Sequence, residues 1–411
     1  MTILDNKITG DIKSWSDVWV NSPGRPVFTE EIELNEKGSV TKFIIHQKAE
    51  DGSQKTWVQS FKIQLKDERG YEKTINLKNM GKSFDISSAV KDFKPGQVLY
   101  NTDGFGYGVF PIYKAKISSY KNIGDEVSRG AQFINLYENM LNGVVAPLET
   151  YLVYLDAIRV EENELILNYL SGRAQTIYWT FLTKEQQQTV QQKTESQLFS
   201  LLKKELPKNI KKTLFGLYKS IAFSKKGNEN LYAIWSKKKT IRNLFLNEND
   251  YTSLAIKLAI YAHPKASEIL KEQVVAISNK DRQARFKWLL PSLSNDETIR
   301  VSFMKSLLEK ENREKESWVQ TALENMHHPL RQQSSIKQLG AILEKLEEVQ
   351  LTGDIFFPKG WLASSIGNYS SNEAALVLQI FLKEHPNYNP ILLKKLLQTT
   401  DNLTRAQNIK K

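Results

Sequence analysis

Residues 117–143 read ISSYKNIGDEVSRGAQFINLYENMLNG, and the fold turns on them. Near Gly124 the alternation typical of strands stops, and helical periodicity takes over and runs to the C-terminus. Asp125 to Asn142 reads as a helix closed by Gly143, and Pro147 opens the next one, with Leu148, Leu152 and Leu155 in line. Upstream, the chain reads as short strands and turns. Phe61, Ile63 and Leu65 alternate with Lys62, Gln64 and Lys66, a period of two with one buried face. Ile32 to Leu34, Val40 to Gln47, Ile75–Leu77, Phe84–Ile86, Val98–Asn101 and Val109 to Ile117 read as further strands. Asp51-Gly52 reads as a hairpin turn.

These readings predict an antiparallel β-sandwich over residues 22–120 and an all-α domain over 121–411. Residues 1–21 form a linker with a short helix, Trp15 and Trp19 sharing one face. Capping boxes are expected at Thr183…Gln186, Ser294…Glu297 and Ser370…Glu373. His263-Pro264, His328-Pro329 and His385-Pro386 each follow an apolar helical run, at spacings of 65 and 57 residues. Proline stops a helix, and a histidine in the last turn can meet its free carbonyls. This recurrence predicts a solenoid of stacked helix pairs, of HEAT or armadillo type.

The 411 residues suffice for two or three domains. There is no apolar run of 18 residues and no apolar segment after a basic start, so neither a membrane span nor a leader is expected. Cysteine is absent, which excludes disulfides, thiol nucleophiles and cysteine-based metal sites. The net charge is +11, and residues 184–242 carry 14 Lys/Arg against four acidic residues. Such a segment could meet nucleic acid, an anionic membrane or an acidic peptide. Leu198, Leu201, Leu202 and Leu206 recur helically between its lysines, which reads as a solvated helical surface.

None of the five histidines starts an H-E-x-x-H motif, and no G-x-S-x-G elbow occurs. Neighbouring imidazoles such as His327 and His328 diverge on a helix and suit one metal poorly. Asp103-Gly104-Phe105-Gly106-Tyr107-Gly108 lacks the spacing of a nucleotide loop and reads as a tight bend among strands. Glu161-Glu162 and Glu347-Glu348 read as solvated surface. No catalytic motif is found.

Several stretches together resemble the C-terminal half of the aminopeptidase-N-like zinc metallopeptidases, bacterial type. Trp15-Ser-Asp-Val-Trp19 followed by Gly24-Arg25-Pro26-Val27-Phe28 is similar to the linker and first strand of that family's β-sandwich. Gln47 with Trp57 and Phe61–Leu65, and Asn101 with Gly104–Gly108, resemble later parts of it. Arg129-Gly-Ala-Gln-Phe-Ile-Asn135 resembles the first helix of the family's helical domain. Asn325–Arg331, and Glu348–Pro358 with Trp361, resemble segments near its end. The catalytic half is not matched: H-E-x-x-H and G-x-M-E-N are missing, and Tyr137-Glu138-Asn139 shares only Glu-Asn with the latter.

The resemblance implies a non-catalytic region that shapes and closes a substrate cleft and contacts peptide. Zinc would sit in the parent enzyme, with no cofactor in this chain. The implied partners are a catalytic domain, in the same or a separate polypeptide, and peptide, with no membrane. Arg331 is the candidate for a peptide's C-terminal carboxylate, with His328 beside it; a helix-capping role for Arg331 is the competing reading. The alternative functions are a stand-alone solenoid scaffold for peptides or a protein and, ranked last, a nucleic-acid binder through residues 184–242.

Overall fold

The computed structural model of the chain describes residues 11–67, 70–91 and 93–410. The expectations for residues 1–10, both the linker and the missing leader, lie outside the described residues. From there a few antiparallel strands are followed by many helices. The chain divides into two compact units, Met1–Ile166 and Leu167–Lys411.

In the first unit, the helix Ile12–Trp19 starts where the Asp11 carboxylate accepts the Ser14 N–H at 3.0 Å. Trp15 and Trp19 stack with ring centroids 6.2 Å apart, as their spacing predicts. Six strands follow: β1 Pro26–Leu34, β2 Val40–Ala49, β3 Gln59–Asp67, β4 Glu72–Met80, β5 Ser83–Asp85 and β6 Pro95–Tyr100. They form two antiparallel three-stranded sheets, ordered β1-β2-β5 and β4-β3-β6. Phe28, Phe43 and Ile45 from one sheet and Phe61, Ile63 and Leu65 from the other are buried in one shared core. The period-two reading of residues 61–65 is realised residue by residue.

Two strand expectations fail. Asp51-Gly52 does turn the chain, with Gly52 at φ +74°, but β2 and β3 lie in different sheets, so the turn is a crossover and not a hairpin. The Gln47 side chain takes the place of a ladder there. Its Oε1 accepts the Trp57 N–H at 2.7 Å, and its Nε2 donates to the carbonyls of Trp57 and Gly81 at 3.2 and 2.9 Å. Residues 109–117 form no strand. Val109 makes one isolated parallel bridge to Val27, and Lys114–Asn122 winds into 3-10 turns. Pro111 has no N–H to give a ladder.

The glycine-rich stretch 103–108 is a closed bend. Asn101, at φ +55°, accepts the Gly106 N–H and donates to the Gly106 carbonyl. A Cβ at Gly106 would lie 2.6 Å from the Phe110 ring.

The helix Glu126–Leu141 begins at the Asp125 cap and ends before Gly143, at φ +73°, where the sequence placed it. It is docked by its amides. Gln132 and Asn135 donate to the Tyr100 carbonyl at 2.8 and 3.2 Å, and Asn139 donates to the Phe110 carbonyl at 2.7 Å. The change of secondary structure falls near residue 120, while the compact unit holding the sheets runs on to Ile166.

The second unit is helical throughout its described residues. Thr183 and Gln186 form the expected capping box. The other two boxes slip: Asp296 caps Glu297–Ser306 in place of Ser294, and Ser371 caps Asn372–Glu384 in place of Ser370. In each pair the cap falls on the residue nearer the first helical turn, and Asp and Ser are both strong caps. An unforeseen box joins Asn247 and Asp250. Among the described residues, no helix is long and apolar enough to cross a membrane.

Candidate functional site

The second unit contains a cavity of about 580 Å³. Its wall includes Trp179, Lys257, Thr321, Glu324, Asn325 and His328. The helices Glu248–Ile260 and Glu316–Met326 supply most of the charge. Trp179 comes from the π-turn Ile177–Phe181 that ends the helix Glu164–Thr176. Such turns often occur at functional sites. Its indole N–H donates to the Ser220 carbonyl at 3.0 Å, which fixes the ring.

Lys257 is the only charged residue in Leu254–Ala262. That apolar helical run buries most of its other members around a single lysine. Among the described residues, no carboxylate lies within 4 Å of its ammonium. Burial, and then the charge of Lys219, pull the Lys257 amine down to about 8, against an opposing pull from Glu324. Lys219 is lowered too, chiefly by burial, and donates to Ser253 Oγ at 2.8 Å. Crowding around the cavity raises the Glu324 carboxyl, although the side chain keeps contact with solvent. The cavity wall therefore carries one ammonium, Lys257, and one carboxyl, Glu324, with Lys219 close enough to Lys257 to repel it.

His328 stands in the wall, buried, with its ring 5.1 Å from Trp179 and 6.0 Å from Tyr261. Its Nδ1 accepts the Leu330 N–H at 3.3 Å. Burial, and then Lys257, hold the ring well below the usual histidine range, so it is neutral. His263 behaves alike, accepting the Lys265 N–H at 3.1 Å. Both histidines cap the turn that follows, which corrects the expectation that they meet the preceding helix. Only His385 does that, at 2.9 Å from the Phe381 carbonyl. His327 lies deeper and does not converge with His328. Its Nδ1 is 2.8 Å from Tyr369 Oη, and burial pushes it down to about 3.

Arg331 is buried behind the wall. Its Nη1 donates to the carbonyls of Ser292 and Asn325 at 2.8 and 3.5 Å. Its Nη2 donates to those of Ala259 and Leu293 at 3.1 and 3.2 Å. These carbonyls belong to the last turns of Glu248–Ile260, Lys280–Leu293 and Glu316–Met326. Three negative helix ends thus converge on one guanidinium. Burial, and then Arg300, bring Arg331 down to about 10, so it stays charged at neutral pH. The structure brings His328 to the cavity and sets Arg331 in its frame. The sequence reading passed over Lys257, although a single lysine inside an apolar helical run was visible there.

Among the described residues, no group of three His, Asp or Glu side chains could hold a metal ion. The residues therefore do not fit the zinc site that the resemblance implies for a parent enzyme. No protein-family model matches the sequence, and no curated protein matches it. Among solved structures, the chain is similar to Legionella pneumophila aminopeptidase A, crystallised in complex with aspartic acid. The likeness covers 98% of this chain at 12% identity, with a TM-score of 0.57. The chain spans about half of that structure, 51% of its length, and what the two share is the fold of an aminopeptidase-like β part followed by an α part.

Proposed function

We propose that this chain is the non-catalytic C-terminal part of a bacterial-type zinc aminopeptidase-like metallopeptidase, which shapes and closes the substrate cleft and contacts peptide. The observation that carries the reading is a structural likeness over nearly the whole chain to about half of an aminopeptidase. The catalytic part is supplied by the same or a separate polypeptide. The helical part is read as a HEAT-like solenoid. Supporting this, Lys184–Lys203 packs on Lys208–Ile221 and Glu248–Ile260 on Ala266–Ala276, each pair consecutive in the chain.

Within this reading, Lys257 receives the peptide's C-terminal carboxylate, His328 borders it, and Arg331 holds the wall behind them. A crowded ammonium without a carboxylate partner gains most from such a ligand. Binding of a labelled peptide is the test, measured by fluorescence anisotropy. A free-acid peptide should bind at least tenfold more tightly than its amide, since a charge-assisted hydrogen bond contributes about 1.5–3 kcal/mol. Lys257→Met should abolish the difference. The amine is charged below its pKa, so affinity should fall as pH rises through about 8. An ordinary lysine would hold its charge to about 10.4. Equal binding of acid and amide would overturn the contact. An immunoblot of source cells tests the wider reading: a band at the size of this chain would demand a separately encoded catalytic partner.

A further inference from the structure

The basic segment 184–242 folds around a groove of about 890 Å³ within the second unit. Lys203 ends the helix Lys184–Lys203, Lys225 and Lys226 open the helix Lys225–Trp235, and Lys239 lies in the loop beyond it. All four line the groove. Phe199 holds two of them in place without neutralising either: the ammonium groups of Lys203 and Lys239 sit over its ring, 5.2 and 4.7 Å from the centroid.

Against its four lysines the groove carries two carboxylates, Glu195 and Glu229, which leaves a surplus of positive charge. Both Glu195 oxygens are engaged, accepting from the Ser224 N–H, the Ser224 hydroxyl and the Gln191 amide. The Ser224 hydroxyl caps the Lys225–Trp235 helix by accepting the Gly227 N–H, with Glu195 holding Ser224 in place, and the helix end is not what attracts an anion. Glu229 is exposed and lies 3.9 Å from Lys226. Among the described residues, Lys203, Lys225 and Lys239 have no carboxylate within 4 Å. Lys239 is held by donation to Asn230 Oδ1 at 2.9 Å.

We propose that this groove is a binding site for a small, multiply charged phosphate compound, such as a polyphosphate chain or a molecule bearing several phosphate groups. Every cation lining it is a lysine. Compact ammonium charges suit the non-planar oxygens of phosphates, whereas planar carboxylates are matched best by guanidinium forks. Exposed hydroxyls of Ser196 and Ser200 line the same groove and can donate to phosphate oxygens. The volume falls in the range of small-molecule sites. The site is independent of the cavity at Lys257.

The test is calorimetric titration of the full chain with inorganic tripolyphosphate at low salt. One bound equivalent is expected, with affinity falling as salt rises. A Lys203→Gln/Lys239→Gln pair should weaken binding at least tenfold. A Lys237→Gln/Lys238→Gln pair removes the same charge from the same segment, from residues that do not line the groove, and should change affinity less than about twofold. Phe199→Leu leaves the charge intact and should weaken binding several-fold. Thermal unfolding of each variant shows that it is folded. No binding, several weak equivalents, or equal losses in the two lysine pairs would overturn the proposal. So would tighter binding of a single-stranded oligonucleotide than of tripolyphosphate, which would move the segment to nucleic-acid recognition.

Discussion

Three helices end within reach of one guanidinium. Last-turn carbonyls have no partner inside their own helix, and a buried carbonyl left unpaired costs about 1–3 kcal/mol. Arg331 takes four of them with two nitrogen atoms. Arg331→Met keeps most of the volume and removes every donor. It should lower stability by about 3 kcal/mol or more, read as a shift in the urea midpoint at unchanged slope. Arg331→Lys should recover only part, because one ammonium cannot span carbonyls from three helices. A midpoint unmoved in the Met variant would mean that water satisfies those ends. The sequence allowed either a cap or a carboxylate contact here. It could not choose, because the acceptors lie up to 72 residues away along the chain.

At the scale of the element, what was local was legible. The alternation of Phe61, Ile63 and Leu65 depends only on the pleat, and it survives intact. Which strand pairs with which depends on distant groups. Asp51-Gly52 has the residues of a hairpin turn, yet Gln47 diverts the chain by binding both backbone groups of Trp57. Gln47 is buried, and Trp57 packs under Gly24, so closely that a Cβ added at Gly24 would stand 3.6 Å from its ring. Gln47→Leu fills the space and leaves the Trp57 N–H and carbonyl unpaired. The Gly81 carbonyl loses its donor as well, and a loss of about 3 kcal/mol or more is expected from three such groups, measured by thermal or urea unfolding. A cost under about 0.5 kcal/mol, the size of an ordinary surface change, would show that the crossover is held by the Trp57 ring alone.

At the scale of the molecule, the order β then α was readable because the period changes from two to 3.6 at Gly124. The cavity was not, because its charge lies on helices joined only by tertiary packing. Lys257 announced itself as a charge in an apolar run, but its neighbours Lys219 and Glu324 carry no such mark. The change of period falls near residue 120, while one compact unit runs past it, from Met1 to Ile166. The reason lies in three amides of one helix, Gln132, Asn135 and Asn139, spent on the carbonyls of Tyr100 and Phe110. A fragment 11–120 would keep those buried acceptors and lose their donors, together with the helix that covers them. A fragment 11–166 retains both, along with the Arg129–Glu161 pair at 2.8 Å. The longer fragment should therefore unfold in one cooperative urea transition with near-ultraviolet circular dichroism of a packed core. The shorter one should show a broad transition or none. Equal midpoints and equal cooperativity for the two would mean that the sheets are self-sufficient and that the boundary lies where the periodicity changes.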